Sequence, residues 1–129
     1  VEHLADPGPV LAELRRVLVP GGWLCFRTPN KWSYIAIAAR LIPESLQGGI
    51  LRRAQPDRKA VDAFPTVYAL NTPAAFRREL TEFDLHWFRY DGLPAYHMGS
   101  KLLYRMLWGL HWLLPPVMCN NFMVYARRR

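Results

Sequence analysis

Glu2 and His3 stand side by side near the start of the chain, a carboxylate next to the one side chain that changes charge near neutral pH. Such an imidazole can take a proton from a hydroxyl or an acidic carbon as a general base. It can equally hydrogen-bond a loop and shape the end of a strand, and both readings of His3 stand. Glu2 reads as a support for it. Asn30 closes the run Thr28-Pro29-Asn30, where its amide can donate to a substrate oxygen, although Pro-Asn is also an ordinary turn. Tyr34, Tyr68 and Asn71 flank a charged, glycine-containing stretch and could face a ligand or simply pack. Within that stretch Arg52, Arg53, Arg58 and Lys59 suit an anionic substrate or a solvated face. Cys25 and Cys119 have no metal-ligand spacing with the four histidines, so no metal is expected. Both read as small core residues in a reducing compartment.

A chain of 129 residues, 51% hydrophobic and 21% charged, has the length and composition of one folded domain. Its net charge is +7. Arg127-Arg128-Arg129 and the four cations of the central stretch read as a basic tail and loop. No aromatic-basic repeat of the RNA-binding kind accompanies them, and no nucleic-acid partner is expected. With no secretory leader pattern, a cytoplasmic location is expected, with contact to a membrane surface as the variant.

The elements that must position these residues follow from spacing. Asp6 can cap a first helix, with Pro7 where no amide hydrogen is needed. Val10, Leu11, Leu14, Val17 and Leu18 recur at helical intervals as one apolar face, and Pro20-Gly21-Gly22 reverses the chain. Trp23 to Thr28 is a short, nearly unbroken apolar run, which suits a strand covered on both faces. Ser33 to Leu41 reads as a short helix, and 44–65 as a loop or lid. Thr72 caps a helix reaching about Glu82, Leu85 to Tyr90 is a strand, and Phe122 to Arg127 is the last strand. Gly99 to Leu114 reads as a long aromatic-rich helix packed over the sheet, its tryptophans filling the core. The alternative for residues 101–118, with Trp108 and Trp112 beside Lys101 and Arg105, is a helix lying in a membrane interface. The alternation of helix and strand fits a doubly wound α/β sheet.

The stretch VEHLADPGPVLAELRRVLVPGGWLCFRTPN, residues 1–30, resembles the second half of the core of class I S-adenosylmethionine-dependent methyltransferases. The likeness is to the type 11 small-molecule group, with its Glu-His, Asp-Pro, a helix, and Arg-Val-Leu-x-Pro-Gly-Gly before a strand. The resemblance implies an α/β fold: a partial Rossmann-like methyltransferase sheet holding the family's fifth, seventh and sixth strands in that order, with covering helices. The last strand should lie between the other two and antiparallel to both. Residues 1–129 would be the C-terminal part of a single methyltransferase domain, with a variable lid at about 31–70. The cofactor would be S-adenosyl-L-methionine, its main glycine-rich loop lying outside this chain, with Glu2 and His3 at the cofactor's methionine end. His3 would be the catalytic base, and Asn30, Tyr34, Tyr68 and Asn71 would line the side of a small-molecule acceptor. The chain alone would be inactive. The competing readings are a non-enzymatic, degenerate fragment and a membrane-interface binding protein.

Overall fold

The computed structural model describes residues 1–43, 49, 66–92, 97 and 99–129. The cluster Arg52, Arg53, Arg58 and Lys59, and most of the expected lid, lie outside the described residues.

Helix α1, Pro7–Val17, begins where Asp6 accepts from the Gly8 amide at 3.0 Å, with proline in the first turn. Arg15 and Arg16 occupy its last turn, where cations oppose the partial negative charge of the free carbonyls. The helix stops at Pro20-Gly21-Gly22. There Gly21 takes a positive φ of 77°, a conformation costly for any residue with a Cβ. A Cβ on Gly22 would sit 2.8 Å from the Val19 carbonyl oxygen, so the second glycine answers a steric need of its own.

Strand β1, Trp23–Pro29, follows at once. Helix α2, Tyr34–Leu41, is capped by Ser33, and helix α3, Pro73–Glu79, by Thr72. Strand β2 spans Phe83–Tyr90; helix α4, Lys101–Leu113, is capped by Ser100; strand β3 spans Asn121–Arg128. The sheet order is β1-β3-β2, and β3 is antiparallel to both neighbours, so β1 and β2 run parallel to each other. The last strand therefore takes the middle place that the resemblance implies.

The pleat separates the two faces. Phe122, Val124 and Ala126 of β3 point to one side, opposite Thr28, Phe26 and Leu24 of β1, and α1 and α3 cover that side through Leu11, Ala75 and Phe76. Phe76 is fully buried and meets Phe26 and Phe122 edge to face, at 6.1 and 5.5 Å between ring centroids. Trp87 meets Phe122 in the same way at 5.6 Å. This aromatic cluster holds the helical layer on the sheet.

The structure corrects four expectations. β1 is covered on one face only: Trp23, Cys25 and Arg27 are exposed, and Cys25 is a surface thiol rather than a core residue. The sequence misleads here because Trp23 and Cys25 are apolar in type while standing on the open face. On α1, Val10 and Val17 are exposed, and the packed stripe narrows to Leu11, Leu14 and Leu18. The tryptophans of α4 do not fill the core: Trp108 and Trp112 are exposed, and no residue of α4 is buried. Arg127-Arg128-Arg129 is not a free tail. The Arg127 side chain donates to the Gly21 carbonyl, Arg128 to the Leu18 carbonyl and Arg129 to Asp84, closing β3 onto the Pro-Gly-Gly turn and onto β2. Among the described residues no helix is long and apolar enough to cross a membrane.

Candidate functional site

In a parallel-strand α/β arrangement ligands gather beyond the carboxyl ends of the strands. β1 and β2 end on the same side, and β3 begins there, so one corner collects Thr28 to Tyr34, Asp91 and Cys119 to Asn121. The chain meets that corner with a run of asparagines.

Asn30 is fully buried. Its Nδ2 donates to the carbonyls of Val117 and Cys119, both at 2.8 Å, and its Oδ1 accepts from the Trp32 amide at 3.0 Å. These bonds tie the exit of β1 to the entry of β3. Asn71, also fully buried, donates to the Thr28 hydroxyl at 2.6 Å and the Pro29 carbonyl at 2.8 Å, while its backbone carbonyl accepts from the Lys31 amide. Asn120 immediately precedes β3; its backbone carbonyl accepts from the Asn30 amide at 2.8 Å and its backbone amide donates to Asp91 at 2.6 Å. The side-chain oxygens of Asn71 and Asn120 are buried with no hydrogen-bond partner among the described residues. Buried amide oxygens left in this state cost on the order of 1–3 kcal/mol each, so they stand out in a corner otherwise so fully bonded.

His111, in the last turn of α4, reaches the same corner. Its Nε2 lies 3.0 Å from the Tyr34 hydroxyl and 2.9 Å from Asn120 Nδ2. The Tyr34 and His111 rings meet at 5.4 Å. Asn120 Nδ2 is a donor only, so with this amide orientation Nε2 offers its lone pair and the neutral ring carries its proton on Nδ1. A half-turn of the amide brings the unpartnered Oδ1 to the same place, where it accepts from a protonated Nε2. The Asn120 side chain can therefore pair with either tautomer of the neutral ring.

The sequence-derived candidates fall into two groups. Asn30, Tyr34 and Asn71 meet at the corner just described. Glu2, His3 and Tyr68 form the other group: His3 Nε2 is 3.4 Å from the Glu2 carboxylate, and the Glu2 carbonyl accepts from the Val67 and Tyr68 amides at 2.9 and 3.2 Å. Tyr68 holds a positive φ of 57°, which a residue with a large side chain adopts at a cost. Asn30 and Asn71 spend their amides on the chain itself, so they build the corner. His111, Asn120 and Asp91 were missed. His111 is half-buried beside Leu103, Leu107 and Leu110 of α4, a face that the sequence does not tell apart from the exposed one.

Cys119 borders the same corner, within 3.6 Å of Asn30 Nδ2. Burial, reinforced by Asp91, pushes its thiol up to about 11, so it stays protonated at neutral pH and is no nucleophile. A shallow hollow of about 230 Å³, lined by His97, Ser100, Lys101, Tyr104 and Arg105, lies at the opposite end of α4 and away from this chemistry. Among the described residues no cluster of three or more His, Cys, Asp or Glu is placed to hold a metal ion.

Comparisons of the chain with protein-family models, with curated proteins and with solved structures each returned no match.

Proposed function

We propose that this chain is the acceptor-side portion of an S-adenosylmethionine-dependent methyltransferase acting on a small molecule. The observation that carries the reading is the β1-β3-β2 order, with the last strand inserted antiparallel between two parallel ones and both α1 and α3 packed on one face. The Asp6-capped helix, the Pro-Gly-Gly turn and the strand after it agree with the sequence resemblance. With two unpaired cysteines, the reading places the protein in a reducing compartment, the cytoplasm.

The described residues do not by themselves fit the cofactor. Of Glu2 and His3, the pair facing its expected position, the carboxylate is already engaged by the imidazole, and both are partly exposed. A nucleoside needs a backbone cradle and a free carboxylate for its ribose. In this reading those parts belong to strands that pair along the open edge of β1.

This chain's own share is the acceptor. In this reading the Tyr34 hydroxyl and His111 Nε2 form the proton path at the corner, and Asn120 holds the same ring nitrogen. Asn30 and Asn71 hold the floor beneath them. Two histidines compete as the base, and variants separate them. The assay uses this chain joined to the cofactor-binding half that the reading requires. There His111→Ala should lower turnover about 100-fold or more and leave cofactor affinity unchanged, with His3→Ala the milder change. The reverse order of effects would return the base to His3. Equal turnover in both variants would remove proton abstraction from the proposal.

A further inference from the structure

Helix α4 meets Tyr34 and Asn120 through His111 and turns another face outward. Leu102, Met106, Trp112 and Leu113 on that face are 63 to 84% exposed. Trp108 lies beside Trp112, edge to face at 5.8 Å, so the two indoles form one exposed aromatic ledge. Lys101 and Arg105 share the helical face of that ledge, at intervals of four, seven and eleven residues from the start of the helix. The thirteen residues of α4 include no carboxylate. Both cations sit in the N-terminal half, where the positive end of the helix dipole disfavours them, so they do not serve the helix itself.

We propose that this face of α4 docks on a bilayer surface carrying anionic phospholipid. Three features select that occupant. The apolar residues are too exposed to belong to the core, and their contiguity gives a face that water covers at a cost. Tryptophans beside cations match the depth profile of a bilayer interface, where indoles sit at the headgroup level and lysine and arginine reach phosphate. The sign of the charge, on the helix and on the chain at +7, favours a negative surface. At thirteen residues α4 is too short to span the bilayer and would lie in its plane. The docking surface does not depend on the methyltransferase reading. If both hold, His111 lies on the inner side of the same turn as Trp108 and Trp112, and an acceptor drawn from the bilayer would be an amphiphile.

The test is co-sedimentation of the 129-residue chain with vesicles of phosphatidylcholine alone and of phosphatidylcholine mixed with phosphatidylglycerol. Binding to the anionic vesicles is expected, weakening as salt is raised. Lys101→Gln combined with Arg105→Gln should lower the vesicle affinity roughly 25-fold, about fivefold for each charge. Trp112→Glu combined with Leu113→Glu should abolish it while the circular dichroism spectrum is retained, since both side chains are exposed. Absence of binding to anionic vesicles at low salt would overturn the proposal. So would binding that survives Trp112→Glu with Leu113→Glu, because the other cations of the chain would then account for it. Self-association that buries this face and is abolished by the same pair would also overturn it, in favour of a second copy as occupant.

Discussion

At the scale of single residues, Cys119 and Cys25 show how position divides one residue type. Cys119 lies against Asn30 at the β3 entry, and burial raises its thiol to about 11; Cys25 stands on the open face of β1. The sign of the consequence follows from linkage. A thiol whose folded value exceeds its unfolded value near 9.0 favours the folded state fully below pH 9, and that contribution is lost as the pH rises toward 11. The stability difference between the native protein and Cys119→Ala should therefore be constant below pH 9 and shrink between pH 9 and 11 in denaturant titrations. At mildly alkaline pH, iodoacetamide should label Cys25 and spare Cys119, as mass spectrometry would show. Equal labelling of the two in the folded protein would contradict the burial argument. At this scale the sequence was least informative. It announces Asn30 and Asn71 as polar residues at turns, but only the pairing of β1 with β3 brings Asn30 to Val117 and Cys119, and that pairing is a long-range event.

At the scale of elements, capping and turn chemistry carried most of the signal. Asp6, Ser33, Thr72 and Ser100 each accept from a backbone amide at the start of a helix, and Asp6 and Thr72 are the two that the sequence names as caps. The Pro20-Gly21-Gly22 turn is where a single atom should cost most. Gly21→Ala forces a Cβ into a left-handed conformation, with an expected loss of about 1–2 kcal/mol. Gly22→Ala pushes a Cβ against the Val19 carbonyl and must also shift the bond from the Arg128 amide to the Gly22 carbonyl, so its loss should be the larger. Chemical denaturation of the two variants checks the order. A harmless Gly22→Ala would mean that the turn relaxes freely. The exposure of α4 was hidden at this scale. A period of apolar and aromatic residues tells which positions share a face, and says nothing of whether that face meets the sheet or something else.

At the scale of the molecule, three strands, two helices on one face and an asparagine-rich corner form, among the described residues, a frame with one open sheet face and two strand edges, β1 and β2. Strand order was legible because the last strand could be placed by resemblance; the register comes from the structure alone. The corner's acid-base pair was not legible as a pair, since Tyr34 and His111 are 77 residues apart. The central claim is that this frame is the acceptor side of a methyltransferase whose cofactor cradle lies on other strands. Calorimetry with S-adenosylmethionine tests it most directly, run on the 129-residue chain and on the same chain joined to a cofactor-binding half. The account predicts no measurable heat of binding for the chain alone and binding by the joined polypeptide. Micromolar binding by the 129 residues, or none by the joined polypeptide, would contradict it.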